Sequence, residues 1–175
     1  MKAMKPKLFI AVLALAGVAT GCMTHESMGN MGEKLDMSQF YLPNAEASKV
    51  VSVSSGTNGP VGATIYVQTH AVAVKETGPK ETVAKFGEVY AFSPNFFVVH
   101  KDEPTAIHFL NLQPDDNHDF MLFAPDQVFM KVLLPPLQDT AYVFTFHREG
   151  LFNILCAMHQ PSMTGQILVL PPRTR

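Results

Sequence analysis

One short stretch near the C-terminus, residues 156–165, reads Cys-Ala-Met-His-Gln-Pro-Ser-Met-Thr-Gly. It places the thiol of Cys156, the imidazole of His159 and the thioether of Met163 within eight residues. Apolar runs typical of β-strands come immediately before and after it. Side chains alternate between the two faces of a strand, so Cys156 shares an inward face with apolar residues two and four positions earlier. We therefore expect these side chains in a loop that joins two strands.

A second histidine that could join this loop lies 38 residues before Cys156, in the sequence Asn117-His118-Asp119-Phe120. Thiolate and thioether sulfur together with imidazole select copper among the common metal ions. Two histidines and one cysteine in a trigonal arrangement, with a long axial methionine, are typical of copper sites that transfer electrons. The sequence therefore predicts one mononuclear copper site at one pole of the domain, with His118 as the second imidazole.

Short runs rich in β-branched and aromatic residues recur along the rest of the chain, and turn residues separate them. These runs are 50–53, 63–74, 83–92, 96–100, 105–112, 118–123, 128–134, 141–146, 151–155 and 166–170. The sequence has no long amphipathic helical pattern and no internal repeat. The pattern predicts an all-β sandwich of about eight strands, which we assign to residues 49–175 as one domain.

The first residues are typical of a secretory signal and not of a folded domain. Three lysines among the first seven residues form a positive region, and the apolar run 8–18 is too short for a membrane span. The following Ala-Thr-Gly-Cys, which ends at Cys22, is typical of a bacterial lipoprotein signal. We expect residues 1–21 to be a lipoprotein signal peptide and Cys22 to be a lipid anchor. The alternative is that Cys22 is an ordinary residue of a signal peptide.

Residues 22–48 lack strong periodicity and contain Gly, Asn, Ser and Pro, so we expect a flexible tether. Met23, His25, Met28 and Met31 lie close together in it. Thioether sulfur can bind Cu(I), so this stretch either forms a weak Cu(I) site or is a polar linker that happens to contain methionine. The sequence leaves both interpretations open.

The net charge limits the partners that the protein can bind, and the cysteine count limits the roles that Cys156 can have. Three of the 13 basic residues lie in residues 1–21, so 10 basic and 15 acidic residues remain, a formal net charge of −5. This charge argues against nucleic acid as a partner. If Cys22 carries lipid, Cys156 is the one thiol left in an oxidising compartment and has no cysteine to pair with. Such a cysteine is inert, a free thiol or a metal ligand, and the nearby His159 and Met163 favour a ligand.

The order of these motifs resembles that of the cupredoxin family. In that family an early histidine follows a strand, a Gly-x-Tyr/Phe sequence leads toward the cysteine, and Cys-x-x-His, a methionine and a glycine-containing last strand follow. The corresponding residues here are His118, Gly150-Leu151-Phe152, Cys156 with His159, and Met163-Thr164-Gly165. The resemblance covers about residues 83–172. The copper domain of cytochrome oxidase subunit II is similar as well, but the loop here lacks that domain's second cysteine.

The resemblance implies a Greek-key β-sandwich that holds one mononuclear copper. His118, Cys156 and His159 would be the equatorial ligands and Met163 the axial ligand. Three residues separate His159 from Met163, which leaves the length and angle of the axial bond open. Asp119 follows the first histidine, and a carboxylate beside the ligands would stabilise Cu(II) and lower the reduction potential.

Several classes of function remain open at this stage. The resemblance implies a carrier of single electrons between redox proteins, such as cytochromes or a terminal oxidase or reductase. A copper-binding lipoprotein for copper acquisition, delivery or resistance is the alternative, which the Met-containing tether supports. A red-copper centre like that of nitrosocyanin is a further alternative. A multicopper oxidase needs His-x-His pairs and the sequence contains none, so we do not expect an enzyme.

The expected location follows from the signal sequence. A lipoprotein signal predicts export, so the domain is expected in the periplasm, attached to a membrane through Cys22. Met23 and not aspartate follows Cys22, which favours the outer membrane over the inner membrane. We expect the domain to be a monomer.

Overall fold

The computed structural model describes residues 35–57, 59–160 and 162–174 of the chain. Within these ranges the strands are β1 (Val51–Ser55), β2 (Ala63–Ala73), β3 (Val89–Ser93), β4 (Phe96–His100), β5 (Thr105–Asn111), β6 (His118–Ala124), β7 (Gln127–Leu134), β8 (Gln138–Phe146), β9 (Gly150–Leu155) and β10 (Thr164–Leu170). One α-helix, α1, spans Lys80–Phe86, and two 3-10 helices span Met37–Gln39 and Ala47–Lys49. Among the described residues, no helix is long and apolar enough to cross a membrane.

The strands form two five-stranded sheets that pack around one core. One sheet has the order β1-β8-β5-β2-β3, and the other has the order β4-β10-β9-β6-β7. The pairs β2–β5 and β4–β10 are parallel, and the other neighbours are antiparallel. The all-β sandwich is confirmed. Each of the sequence runs overlaps one strand, so the described residues contain ten strands where about eight were expected.

The run 83–92 differs most from its expected structure, because it is not one continuous strand. Its first half belongs to α1, and Gly87, with φ 76°, follows the last helical residue. Glycine adopts this left-handed conformation without strain and often ends helices. The helix buries none of its residues, so no strong periodic pattern marked it in the sequence. The remainder of the run forms β3, which carries Tyr90 into the core.

Phenylalanine side chains form the centre of the core. The rings of Phe109, Phe120 and Phe144 have centroids 4.4–6.4 Å apart, and those of Phe146 and Phe152 are 5.0 Å apart. All five residues are at most 1% exposed. Rings at these distances pack favourably in tilted or edge-to-face arrangements. A substitution such as Phe120→Ala would cost about 3–5 kcal/mol of folding free energy.

Strand β9 connects this core to residues 156–163, which contain three of the predicted ligands and which we call the ligand loop. Phe152, Ile154 and Cys156 are at most 1% exposed, whereas Leu151 is 47% exposed, so the predicted inward face is confirmed. Strand β9 runs antiparallel to β6, with Leu155 opposite Met121. The end of β9 and the beginning of β6 therefore lie at the same pole of the sandwich.

Gly165 marks a close approach between β10 and the loop before β4. A Cβ atom at this position would lie 2.2 Å from the carbonyl oxygen of Asn95, which is too close for any side chain. The amide of Gln166 donates a hydrogen bond of 2.7 Å to the same oxygen. Glycine at this position therefore lets the chain leave the ligand loop directly into the sheet.

Residues 35–48, which we call the N-terminal segment, pack against the domain. Tyr41 and Lys131 of β7 exchange two backbone hydrogen bonds of 2.7 and 3.0 Å, and Ala47 is 2% exposed within the core. Strand β7 is an edge strand, so this bridge satisfies backbone groups that would otherwise be unpaired. The sequence assigned the N-terminal segment to a flexible tether, and in this respect the structure differs. The rest of the tether and residues 1–21 lie outside the described residues.

Candidate metal centre

Three of the predicted ligands meet where β6 begins and β9 ends. The Nδ1 atoms of His118 and His159 lie 2.9 Å apart. The Sγ atom of Cys156 lies 4.0 Å from the Nδ1 atom of His118 and 3.7 Å from that of His159. His118 and Cys156 are fully buried, and His159 is half-buried. Two imidazole nitrogens and one sulfur therefore face a common point, as a trigonal site requires.

Met163 belongs to the same closed loop. The backbone N–H of Cys156 donates to the carbonyl oxygen of Met163 at 2.9 Å, and the N–H of Met163 donates to the carbonyl oxygen of His159 at 3.4 Å. Met163 is fully buried. These backbone bonds fold the ligand loop back on itself before β10 begins. The loop thus carries the thiol, one imidazole and the thioether on a short, internally bonded stretch.

Asp119, which was expected beside the ligands, links the first histidine to the ligand loop. Its backbone N–H donates to the Sγ atom of Cys156 at 3.4 Å, and its Oδ1 atom accepts a 2.6 Å hydrogen bond from the N–H of Ala157. The other carboxylate oxygen, Oδ2, lies 3.3 Å from the Nζ atom of Lys131. Asp119 is 0% exposed. The site therefore contains a buried ion pair in addition to its predicted ligands.

Tyr90 of β3 covers both histidines. Its ring centroid lies 4.8 Å from that of His118 and 4.5 Å from that of His159. Its hydroxyl donates a hydrogen bond to the carboxylate of Asp116, and the residue is 1% exposed. Burial, together with this bond to Asp116, raises the pKa of Tyr90. The ring therefore shields one side of the site from water.

Neither Tyr90 nor Lys131 was found from the sequence. Tyr90 comes from the other sheet and lies far from the ligands along the chain, so no motif spacing relates them. Lys131 lies in an alternating edge strand, where a lysine is expected to face water. The one available signal was an aspartate, Asp119, next to the first histidine and within an apolar run, since a carboxylate buried there requires a cationic partner.

Burial sets the protonation of the three converging side chains. It lowers the pKa of His118 to about 4, with His159 adding to the shift and Asp116 opposing it. Burial also lowers the pKa of His159. It raises the pKa of Cys156 to about 11, and Asp119 adds to that shift. Both imidazoles are thus neutral at neutral pH and free to bind a metal, whereas the thiol must lose its proton on binding.

The residues present fit a mononuclear copper ion by the chemistry of their donor atoms. Among the side chains that the structure describes, this is the one group of three His, Cys, Asp or Glu ligand atoms close enough to share a metal. Three other histidines instead have oxygen partners: His100 with the carbonyl of Pro171, His108 with Asp139 and His147 with Asp102. Imidazole nitrogen, thiolate and thioether together select copper.

Several predicted site residues fall outside the described ranges. They are Cys22, the expected lipid anchor, and Met23, His25, Met28 and Met31, the expected weak Cu(I) site. Both assignments stay predictions.

Comparison with known proteins adds information on the fold. No protein-family model and no curated protein matches the chain. Auracyanin B matches with a TM-score of 0.50 and 13% identity, over 70% of this chain and 99% of auracyanin B. A multicopper oxidase matches with a TM-score of 0.49 and 14% identity, over 64% of this chain and 45% of the oxidase. Auracyanin A, a "blue" copper protein from Chloroflexus aurantiacus, matches with a TM-score of 0.45 and 16% identity, over 62% of this chain and all of auracyanin A.

Identities this low bear on architecture alone, and the likeness to auracyanin B carries the comparison. It spans nearly the whole of that protein and most of the described residues of this one. The likeness concerns the overall arrangement of the chain, which in this protein is a sandwich of two sheets. The chain is therefore a protein of the cupredoxin fold.

Proposed function

We propose that this protein binds one copper ion and carries single electrons between redox proteins. The observation that carries the proposal is the convergence of the Nδ1 atoms of His118 and His159 and the Sγ atom of Cys156 at one buried pole. His118, His159 and Cys156 would hold the copper, and the thioether of Met163 from the same loop would be a further, weaker donor. A copper held in this way supplies a one-electron couple between Cu(II) and Cu(I).

The residues around the ligands would keep them in place in both oxidation states. Asp119 ties the ligand loop to β6 through the amide of Ala157, and Gln160 donates its side-chain amide to the carbonyl oxygen of Cys156. Tyr90 packs on both imidazoles from the other sheet. Ligands locked by neighbouring bonds and packing move little. A small rearrangement between oxidation states favours rapid electron exchange, which a carrier requires.

Electrons would enter and leave through His159, because it is the one of the three converging residues that is not fully buried. Pro114 is exposed in the loop before β6, whereas Met158 is half-buried and packs on the core. Of these two residues, Pro114 is thus the better candidate for a docking face. Transient redox contacts of this kind are small and release rapidly.

We further propose that the domain is a monomer held in the periplasm by lipid on Cys22, with the outer membrane preferred. The support comes from the signal-like residues 1–21 and from Met23 after the anchor. The partners would be redox proteins such as cytochromes or a terminal oxidase or reductase. We propose a carrier and not an enzyme, since the sequence has no His-x-His pair for a further copper cluster.

A test of the function compares electron exchange with copper release. The copper-loaded protein should show reversible one-electron voltammetry and should keep its Cu(I) in the presence of a strong Cu(I) chelator. His118→Ala should lose copper to the chelator, while the matched control His147→Ala, whose ring pairs with Asp102, should not. Rapid transfer of Cu(I) from the unaltered protein, together with irreversible voltammetry, would instead support copper acquisition, delivery or resistance.

A further inference from the structure

We propose that Lys131 is a positioning residue of the metal centre, which neutralises the buried Asp119 carboxylate and is itself held by residues 39–41. Through this lysine the N-terminal segment would influence the reduction potential of the bound metal. The inference rests on the proposed copper site and deepens it, because it assigns a role to a charged pair and to a segment that precedes the sandwich.

The carboxylate of Asp119 needs a cation. It is 0% exposed, and a buried carboxylate is strongly disfavoured unless it is paired and hydrogen-bonded. Its Oδ1 atom has the amide of Ala157, whereas its Oδ2 atom has no hydrogen-bond partner within the described chain. The Nζ atom of Lys131, 3.3 Å from Oδ2, is the one cationic group in the described residues that forms an ion pair with Asp119.

The position of Asp119 makes this pair matter to the metal. Asp119 directly follows His118, donates its N–H to the sulfur of Cys156 and binds the next residue of the ligand loop. An unpaired negative charge there would stabilise Cu(II) relative to Cu(I), because the oxidised ion carries the larger positive charge. The Lys131 ammonium opposes that effect. The sequence alone predicts that Asp119 lowers the reduction potential of the copper. Because Lys131 neutralises the carboxylate, we expect a smaller decrease.

Three consecutive residues of the N-terminal segment hold Lys131 in this position. Its Nζ atom donates to the Oε1 atom of Gln39 at 2.9 Å and lies 5.3 Å from the ring centroid of Phe40. Its backbone pairs with that of Tyr41. The lysine side chain is 12% exposed, which is unusual for a lysine on an edge strand. Covering the strand edge explains the Tyr41 bridge, but it does not explain why the ammonium group points inward at Asp119.

The test measures midpoint potentials on the complete mature chain. Lys131→Met should lower the potential by an amount equivalent to about a tenfold change in the Cu(II)/Cu(I) ratio, which is about 59 mV for a one-electron couple. Lys131→Arg should restore most of the potential, because it keeps the charge. Asp119→Asn combined with Lys131→Met should also return it toward the original value. Lys49→Met is the matched control, since it removes a lysine whose partner, Glu46, is exposed.

Two more variants test the N-terminal segment and guard against misfolding of Lys131→Met. Gln39→Ala combined with Phe40→Leu leaves Lys131 in place but removes two of its contacts. This double variant should lower the potential in the same direction by a smaller amount. Potentials equal to that of Lys49→Met in both Lys131→Met and the double variant would overturn the inference. A Lys131→Arg variant as low as Lys131→Met would also overturn it.

A measurement on the copper-free protein separates this inference from the proposed function. Hydrogen exchange of the Ala157 amide should become at least about tenfold faster in Lys131→Met relative to the amides of β5, which report on the sandwich as a whole. If the unaltered protein showed no thiolate-bound copper but Ala157 responded, the proposed function would fail and the positioning role would stand. Thiolate-bound copper in the unaltered protein, with neither the potential nor the Ala157 exchange responding, would leave the proposed function intact and refute the role of Lys131.

Discussion

Burial of His118 makes the stability of the copper-free protein depend on pH. A histidine in an unfolded chain titrates near pH 6.5, whereas burial lowers the pKa of His118 to about 4. Between these two values the unfolded state binds a proton that the folded state does not bind. The contribution of His118 to the free energy of unfolding should therefore be complete above about pH 6.5. It should decrease as the pH falls toward 4 and change no further below that pH.

The size of the effect follows from the two pKa values. A difference of about 2.5 pKa units, at about 1.36 kcal/mol each, gives a loss that approaches about 3 kcal/mol near pH 4. His159, whose pKa burial also lowers, should add a loss of the same sign. A loss of this size is a large fraction of the stability of an ordinary domain, about 5–15 kcal/mol.

Urea unfolding of the copper-free protein, followed between about pH 4 and pH 7, measures this dependence. His118→Gln should flatten the curve, because a neutral amide takes up no proton. His147→Gln is the matched control, because it removes an exposed imidazole outside the metal centre, and the curve of His118→Gln is compared with it. A stability that does not change over this range in the unaltered protein, or an equal slope in His118→Gln, would refute the reasoning.

The remaining predictions concern the axial ligand, the anchor and the covering ring. Met163→Leu should keep copper, because a long axial bond contributes little affinity, and should raise the reduction potential. Loss of copper in this variant would show that Met163 is a primary ligand. Cys22→Ser should move the protein from the membrane fraction to the soluble fraction with its copper content unchanged, and a protein that stays in the pellet would exclude the lipid anchor. Tyr90→Phe should keep the spectrum but lower the free energy of unfolding by about 1 kcal/mol through loss of the bond to Asp116. Tyr90→Ala should open the site and speed copper loss, and a Tyr90→Ala protein that loses copper at the original rate would exclude a covering role.

The ligand loop was predictable because its information is local. The thiol, imidazole and thioether lie within eight residues. Phe152 and Ile154 share the inward face of their strand with Cys156, so their positions predict that the sulfur faces the core. Strands such as β4 and β9 were predictable for the same reason, since buried and more exposed residues alternate along them.

The surroundings of the ligands could not be predicted, because they depend on pairing between distant parts of the chain. Tyr90 reaches the histidines only because β3 lies in the opposite sheet. Lys131 becomes a partner of Asp119 through the register of β6 and β7, in which Leu133 pairs with Asp119 and Lys131 lies two residues before Leu133. The N-terminal segment has no periodic pattern, and its packing rests on a few contacts to an edge strand that sequence composition does not specify.

The central claim is that the thiolate of Cys156 binds a single copper together with His118 and His159. Optical and EPR spectra of the copper-loaded protein, recorded beside those of Cys156→Ser, test it most directly. We predict an intense thiolate-to-copper band and a narrow copper hyperfine splitting in the unaltered protein, with the band absent from Cys156→Ser. A weak or absent band in the unaltered protein, or the same band in Cys156→Ser, would contradict the claim.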